Sequence, residues 1–248
     1  MQSDPVSPQG RQTVTVGGIT LTIETPPDLD ALLDRAAAAD PQAIDAIPYY
    51  AILWPAAHGL TRYLWEHRLE LPGQRVIELG CGLGLPAILA ARLGANVLAT
   101  DFHPDTGEWL HHNARLNGAS LDYRQLDWEA SFSALPDIPP AARVIGSDLL
   151  YERRHIPALV RTIDALCATG GHAIIADPGR DNLSLFVSSM EKDGWRFTLH
   201  PVDDVYVCRF DRKETQDARH RQRHLGEDAH APSVRTRAGM GGRSKREV

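Results

Sequence analysis

The stretch Val76-Ile-Glu-Leu-Gly-Cys-Gly-Leu-Gly84 decides the fold. An apolar run with β character meets three glycines at alternate positions, and Leu85-Pro-Ala-Ile-Leu-Ala-Ala-Arg92 then reads as a helix. A strand that ends in glycines and turns straight into a helix is the building unit of open α/β sheets, which bind ligands at the carboxyl ends of their strands.

Outward from this unit the pattern repeats. Short β-type runs at 75–79, 96–100, 122–125, 142–147 and 172–176 alternate with helix-length segments at 85–93, 104–117, 156–168 and 182–193. This is the signature of βαβ units around a parallel sheet with helices on both faces. The end differs, because Trp195-Arg-Phe-Thr-Leu-His200 and Val205-Tyr-Val-Cys-Arg-Phe210 are joined by only a short turn. Parallel neighbours need a connection of about a dozen residues, so these two runs must pair antiparallel. The predicted fold is α/β, a Rossmann-like seven-stranded and mostly parallel sheet closed by a C-terminal antiparallel β-hairpin.

Upstream, Thr13-Val-Thr-Val16 and Ile19-Thr-Leu-Thr-Ile23 alternate around Gly17-Gly18 and predict a β-hairpin. A helix over 28–39 stops at Asp40-Pro41, and Trp54-Pro-Ala-Ala57 opens another with its proline in the first turn. The expected organisation is a hairpin-and-helix extension at 1–47, the α/β domain at 48–210 and a basic tail at 211–248.

The 248 residues carry 43% hydrophobic and 23% charged side chains, enough for one substantial core. No run approaches the roughly 18 apolar residues of a membrane span, and Met1-Gln-Ser-Asp-Pro5 opens no secretory signal, so a soluble cytoplasmic protein is expected. Cys81, Cys167 and Cys208 are too scattered for a disulfide framework or a zinc site. The net charge of −6 hides an asymmetry: residues 211–248 hold ten Lys and Arg against six Asp and Glu, +4, which leaves 16 against 26, −10, elsewhere. An acidic body is a poor non-specific nucleic-acid binder and suits a basic, lysine-bearing partner. The tail has almost no large apolar residues and is expected to stay disordered.

The glycine loop narrows the ligand. A dinucleotide site would place its third glycine at 85, where Leu85 stands, and Glu78 would repel a pyrophosphate. A ligand bearing an ammonium and a sulfonium would welcome that acid, and S-adenosyl-L-methionine is such a ligand. Asp101 ends the second strand about twenty residues on, where an acid accepts from ribose hydroxyls or else caps the next helix. Asp127 offers an acceptor for an adenine amino group, and Trp128 a ring that lines the pocket or packs in the core.

These residues resemble class I, seven-β-strand methyltransferases, and among them the family 16 lysine methyltransferase-like proteins. The resemblance runs from about residue 48 to 210, through Tyr50-Ala-Ile-Leu-Trp-Pro-Ala-Ala57, Glu78-Leu-Gly-Cys-Gly-Leu-Gly84, Thr100-Asp101, Asp127-Trp128 and Ser147-Asp-Leu-Leu-Tyr151. It implies a methyltransferase domain in which Trp54, Gly80, Gly82, Asp101, Trp128 and Ser147 line the cofactor pocket. Asp148 and Tyr151 would then stand beside the acceptor nitrogen. Ala176-Asp-Pro-Gly-Arg180 looks like the branch that methylates lysine in the electron transfer flavoprotein β subunit. The partner so implied is a protein with an accessible lysine, with neither nucleic acid nor membrane.

Methyl transfer needs an acceptor lone pair aligned with the departing sulfur. A lysine of pKa about 10.4 and a carboxylate near 4 are mismatched by roughly six units, so Asp148 is a poor base. The expected role of Asp148 is to hold and orient the amine, with Tyr151 shaping the channel; the alternative is a cap for the following helix with Tyr151 packed. Leu149-Leu150 replaces the prolines of the Asn/Asp-Pro-Pro-Tyr methyltransferases that act on amide or nucleobase nitrogens. A small-molecule or other nitrogen methyltransferase of this fold, a nicotinamide-dependent oxidoreductase and a non-catalytic nucleotide-binding module are the alternatives.

Overall fold

A computed structural model describes residues 10–39, 48–129 and 137–212. The predicted breaker Asp40-Pro41 and all of the predicted tail from residue 213 onward lie outside the described residues.

The chain begins with β1 (Arg11–Val16) and β2 (Ile19–Glu24), paired antiparallel with Val16 opposite Ile19. Gly17 and Gly18 both take positive φ, as a two-residue hairpin turn demands. A Cβ on Gly17 would stand 1.6 Å from the Trp65 ring, so the turn also needs glycine for contact reasons. Helices α1 (Leu29–Ala39) and α2 (Pro55–Glu66) follow, and the latter carries its proline at the first helical position.

The main sheet comprises β3 (Arg75–Leu79), β4 (Asn96–Asp101), β5 (Asp122–Gln125), β6 (Ala141–Ser147), β7 (Cys167–Asp177), β8 (Trp195–Val202) and β9 (Val205–Arg212). The intervening helices are α3 (Leu85–Arg92), α4 (Thr106–Leu116), α5 (Ile156–Leu166) and α6 (Asn182–Lys192). Strand order is β5-β4-β3-β6-β7-β9-β8, with β9 antiparallel to both of its neighbours and the others parallel. The predicted α/β fold and its closing hairpin are present.

Alternation along the strands divides the core between two faces. Val76, Val97, Ile145 and Ile174 pack with α2, α3, α4 and the N-terminal hairpin, whereas Ile77, Val144 and Ile175 pack with α5 and α6. Truncating one of these buried isoleucines to alanine costs about 2–5 kcal/mol. The hairpin is fixed by two asparagines of the α4 region. Asn117 accepts from the Thr22 N–H at 2.8 Å and donates to its carbonyl at 2.7 Å, while Asn113 does the same for Glu24 at 2.8 and 3.0 Å. Side-chain amides thus serve the edge of β2 as another strand would.

One element departs from expectation. The helix α5 stops at Leu166 and β7 starts at Cys167, where the sequence predicts a helix to 168 and a strand from 172. Cys167 pairs with Ala141, and the register shifts before Arg143 meets His172. Gly170, at φ 76, takes up that irregularity. Among the described residues no helix is long and apolar enough to cross a membrane.

Candidate active site

Chain order reverses between β3 and β6, which run side by side with Leu79 level with Gly146. Ligands bind at such switch points, beyond the carboxyl ends of the strands. A cavity of about 320 Å3 opens there, between the glycine loop after β3 and the Ser147-Asp148 step after β6.

Gly80 and Gly82 take φ of 59° and 49°. A Cβ on Gly80 would meet Leu149 Cδ2 at 2.5 Å, and one on Gly82 would press on the Tyr50 carbonyl at 3.3 Å. The loop therefore leaves a wall of bare backbone on the cavity. Asp101 holds the loop from the end of β4: Oδ2 accepts the Gly82 N–H at 2.9 Å and Oδ1 the His103 N–H at 3.0 Å. Burial raises the carboxyl above the ordinary range against the pull of those two amides. Its backbone bonds go to the loop and to its own turn, not to the amides of α4.

Trp54, Asp127, Trp128 and Ser147 also line the cavity. Asp127 folds its own turn by accepting the Glu129 N–H at 2.8 Å, and Trp128 lies partly against the α5/α6 core while its ring approaches Gly80. Trp128 thus borders the cavity and packs against the core at the same time. The Trp54 indole donates to the Tyr49 carbonyl at 3.0 Å, and the Tyr49 ring stands 6.1 Å from Trp54 and 5.4 Å from Tyr151. Tyr151 is 44% exposed and forms part of an aromatic rim.

Glu78 is the predicted residue that the structure does not bring to the cavity. It points, with Val76, to the α3 face of β3, is fully buried, and its Oε2 accepts the Ala87 N–H from the first turn of α3 at 2.9 Å. Burial, with Asp101 nearby, drives its pKa well above the usual carboxylate range. Turned toward α3, the carboxyl does not line the cavity and does not stand where a ligand cation would meet it. Its position instead ties the strand to the helix beneath the glycine loop.

Asp148 joins three segments of the chain. Its φ of 60° is left-handed, a conformation that a non-glycine residue keeps only where its surroundings fix it. The Asp148 N–H donates to the Ala176 carbonyl at 3.0 Å, and its Oδ2 accepts the Ala56 N–H at the start of α2 at 2.8 Å. Oδ1 forms an ion pair with Arg180 Nη2 at 2.7 Å. Burial raises the Asp148 pKa, and Arg180 and the Ala56 amide pull it back toward the ionised form. Arg180 reaches on through Nη1 to Asp177 Oδ2 at 2.8 Å, and Asp177 Oδ1 accepts the Gly179 and Arg180 N–H groups at 2.8 and 2.7 Å. Burial lowers the guanidinium pKa, but the two carboxylates outweigh it and raise it.

The capping alternative for Asp148 thus takes an unexpected form: it serves the remote helix α2, not the helix that follows it. Three separated motifs, Trp54-Pro-Ala-Ala57, Ser147-Asp-Leu-Leu-Tyr151 and Ala176-Asp-Pro-Gly-Arg180, meet through this one carboxylate.

A family model described as lysine methyltransferase matches residues 49–193, which span the aromatic rim, the glycine loop, Asp148 and Arg180. The chain belongs to this family of methyltransferases. Relatives include the histone-arginine methyltransferase METTL23 of Xenopus laevis, 35% identical over 118 residues, 46% of this chain and 50% of that protein. Another is the electron transfer flavoprotein β subunit lysine methyltransferase of Xenopus laevis, 33% identical over 139 residues, 55% of each chain. The chain spans about half the length of the curated relatives it matches. Among solved structures, the T. Thermophilus 16S rRNA N2 G1207 methyltransferase RsmC shares the fold at a TM-score of 0.60 and 18% identity, over 82% of this chain and 50% of that one.

S-adenosylmethionine is the cofactor of this methyltransferase family. The cavity fits it: the glycine positions that face it admit no side chain, an acid closes the end of β4, and an indole lies over Gly80.

The sequence reading gave no role to several cavity residues. Tyr49, Phe102, Glu129, His155 and Arg180 all line it. Arg180 had a legible signal, a cation at the end of a strand beside the Ser147-Asp148 strand end. The others sit on turns whose approach depends on tertiary packing.

Proposed function

We propose that the protein is an S-adenosylmethionine-dependent protein-lysine N-methyltransferase. The observation that carries this reading is the placement of Asp148, which faces the same cavity as the bare glycine loop and is fixed there by two family motifs. Bound S-adenosylmethionine would supply an electrophilic methyl group. Gly80 and Gly82 would admit it, Asp101 would accept from its ribose hydroxyls, Asp127 and Trp128 would enclose its adenine, and Trp54 and Ser147 would flank the transfer point.

Asp148 holds the acceptor nitrogen through a hydrogen bond and directs its lone pair inward. A carboxylic acid is intrinsically a poor base for an ammonium of pKa about 10.4, so the proton leaves to water. Tyr151 and Tyr49 form the rim of the acceptor channel and cover the apolar stem of a lysine. The acidic body suits a lysine-bearing protein partner, and the free cysteines suit a cytoplasmic setting. The electron transfer flavoprotein β subunit is the first substrate to try, because relatives named for that activity match this chain.

The test is incubation of the full chain with methyl-labelled S-adenosylmethionine and purified electron transfer flavoprotein, and separately with cell extract, followed by mass spectrometry of labelled material. Label on a lysine side chain is expected. Label confined to nucleic acid or a small molecule sinks the protein-lysine reading, and label on another protein's lysine removes only the flavoprotein.

A further inference from the structure

Asp148 and Arg180 face each other in the acceptor half of the cavity, and their pairing restricts what the carboxylate can hold. A carboxylate that binds a guanidinium well does so with both oxygens, through two parallel N–H···O bonds. Asp148 has neither oxygen clear for this. Oδ2 is committed to the Ala56 N–H at 2.8 Å and Oδ1 to Arg180 at 2.7 Å. Oδ1, paired with Arg180, is also shut off from solvent, so what remains is one lone-pair direction on Oδ2, enough for one nitrogen donor. Arg180 is itself fixed, because its other terminal nitrogen lies 2.8 Å from Asp177, and that acid is fully buried and held by two backbone amides.

We propose that Arg180 is the specificity-determining residue of the acceptor site. By occupying one oxygen of Asp148 it denies the two-pronged grip that an arginine side chain requires and leaves the one-pronged site that suits a primary amine. The inference rests on the reading of Asp148 as the acid that holds the acceptor, and it adds the reason the acceptor is lysine. The charge arrangement works in the same direction. A fixed guanidinium in the site repels a second, permanently charged guanidinium, whereas an amine enters after releasing its proton and carries no charge.

The test compares two probes, mixed-sequence peptide libraries that differ only in a single central lysine or arginine. Each is assayed with labelled S-adenosylmethionine against wild type, Arg180→Gln and Asp177→Asn. Wild type is expected to methylate the lysine library. In Arg180→Gln the lysine-to-arginine ratio of kcat/KM should fall by at least about tenfold, the discrimination that one charge-assisted hydrogen bond supports. Asp177→Asn, which leaves Asp148 and Arg180 in place but loosens the guanidinium, should shift the ratio the same way by less. It keeps the question answerable if Arg180→Gln fails to fold. A wild type that prefers lysine together with an unchanged ratio in the folded variants overturns the role of Arg180 alone. A wild type that labels arginine in preference, or neither library, overturns the lysine reading and this inference with it.

Discussion

The side chain of Asp148 accepts the backbone N–H of Ala56, a residue 92 positions earlier, at 2.8 Å. Helix α2 has no capping side chain of its own, since Trp54 stands at the N-cap and Pro55 follows. The acid at the mouth of the cavity therefore also satisfies an orphan amide of the helix that frames it.

Asp148→Asn separates these two duties. An asparagine Oδ1 still accepts from Ala56, but the negative partner of Arg180 is gone. The expected result is a turnover at least about tenfold lower, the worth of a charge-assisted hydrogen bond, with affinity for S-adenosylmethionine in calorimetric titration left near wild type. Unchanged turnover would remove Asp148 from the acceptor site and leave it as a helix cap.

Gly80→Ala should damage cofactor binding through contact, not through strain alone. The new Cβ would stand 2.5 Å from Leu149 Cδ2 at φ 59°, so the Leu149 side chain must shift where it lines the cavity. Gly118 is the matched comparison, with φ 60° and nothing within 4 Å of its Cβ position. Both substitutions should cost about 1–2 kcal/mol of backbone strain in thermal unfolding, but only Gly80→Ala should lose S-adenosylmethionine affinity. Equal affinities would mean that the Gly80 wall does not touch the cofactor.

The fold was legible because hydrophobic periodicity switches repeatedly between strand and helix, and because the last connection is too short for a crossover. The candidate site was legible at the strand ends: Gly80, Asp101, Ser147 and Asp148 all lie at the carboxyl ends of parallel strands and line one cavity. Glu78 was misplaced for a reason the same strand contains. Side chains alternate, so the residue two positions before the first glycine shares a face with Val76 and points beneath α3, not past the strand end. The pairing of Arg180 with Asp148 and the reach of Asp148 to Ala56 join distant segments, and single-sequence patterning carries no record of such contacts.

Glu78→Gln should reveal a pH dependence with a definite sign. The folded-state pKa of Glu78 is raised well above its unfolded value by burial. Stability from this group is therefore fully present below the unfolded value, about 4.3, and falls as pH rises toward the folded pKa, because the unfolded chain ionises while the folded one holds its proton. The glutamine that replaces it cannot ionise. The melting temperature of the variant relative to wild type should rise from pH 4 toward pH 8, and a difference that stays flat would mean that Glu78 is not held neutral.

Asn113 and Asn117 both clamp β2, but only Asn113 also reaches the glycine loop, donating to the Leu83 carbonyl at 3.2 Å. At about 1 kcal/mol for each hydrogen bond, more where a buried group is left unpaired, either alanine variant should lose about 2–4 kcal/mol of stability. Amide exchange at Thr22 should quicken in Asn117→Ala and at Glu24 in Asn113→Ala, since each asparagine accepts from that backbone N–H. Cofactor affinity divides them. Asn113→Ala frees the loop between Gly82 and Gly84 and should weaken S-adenosylmethionine binding, while Asn117→Ala loosens the hairpin yet leaves the loop held. Equal weakening in both would show that the hairpin as a whole supports the loop, and that the Asn113 to Leu83 bond has no separate share in shaping the site.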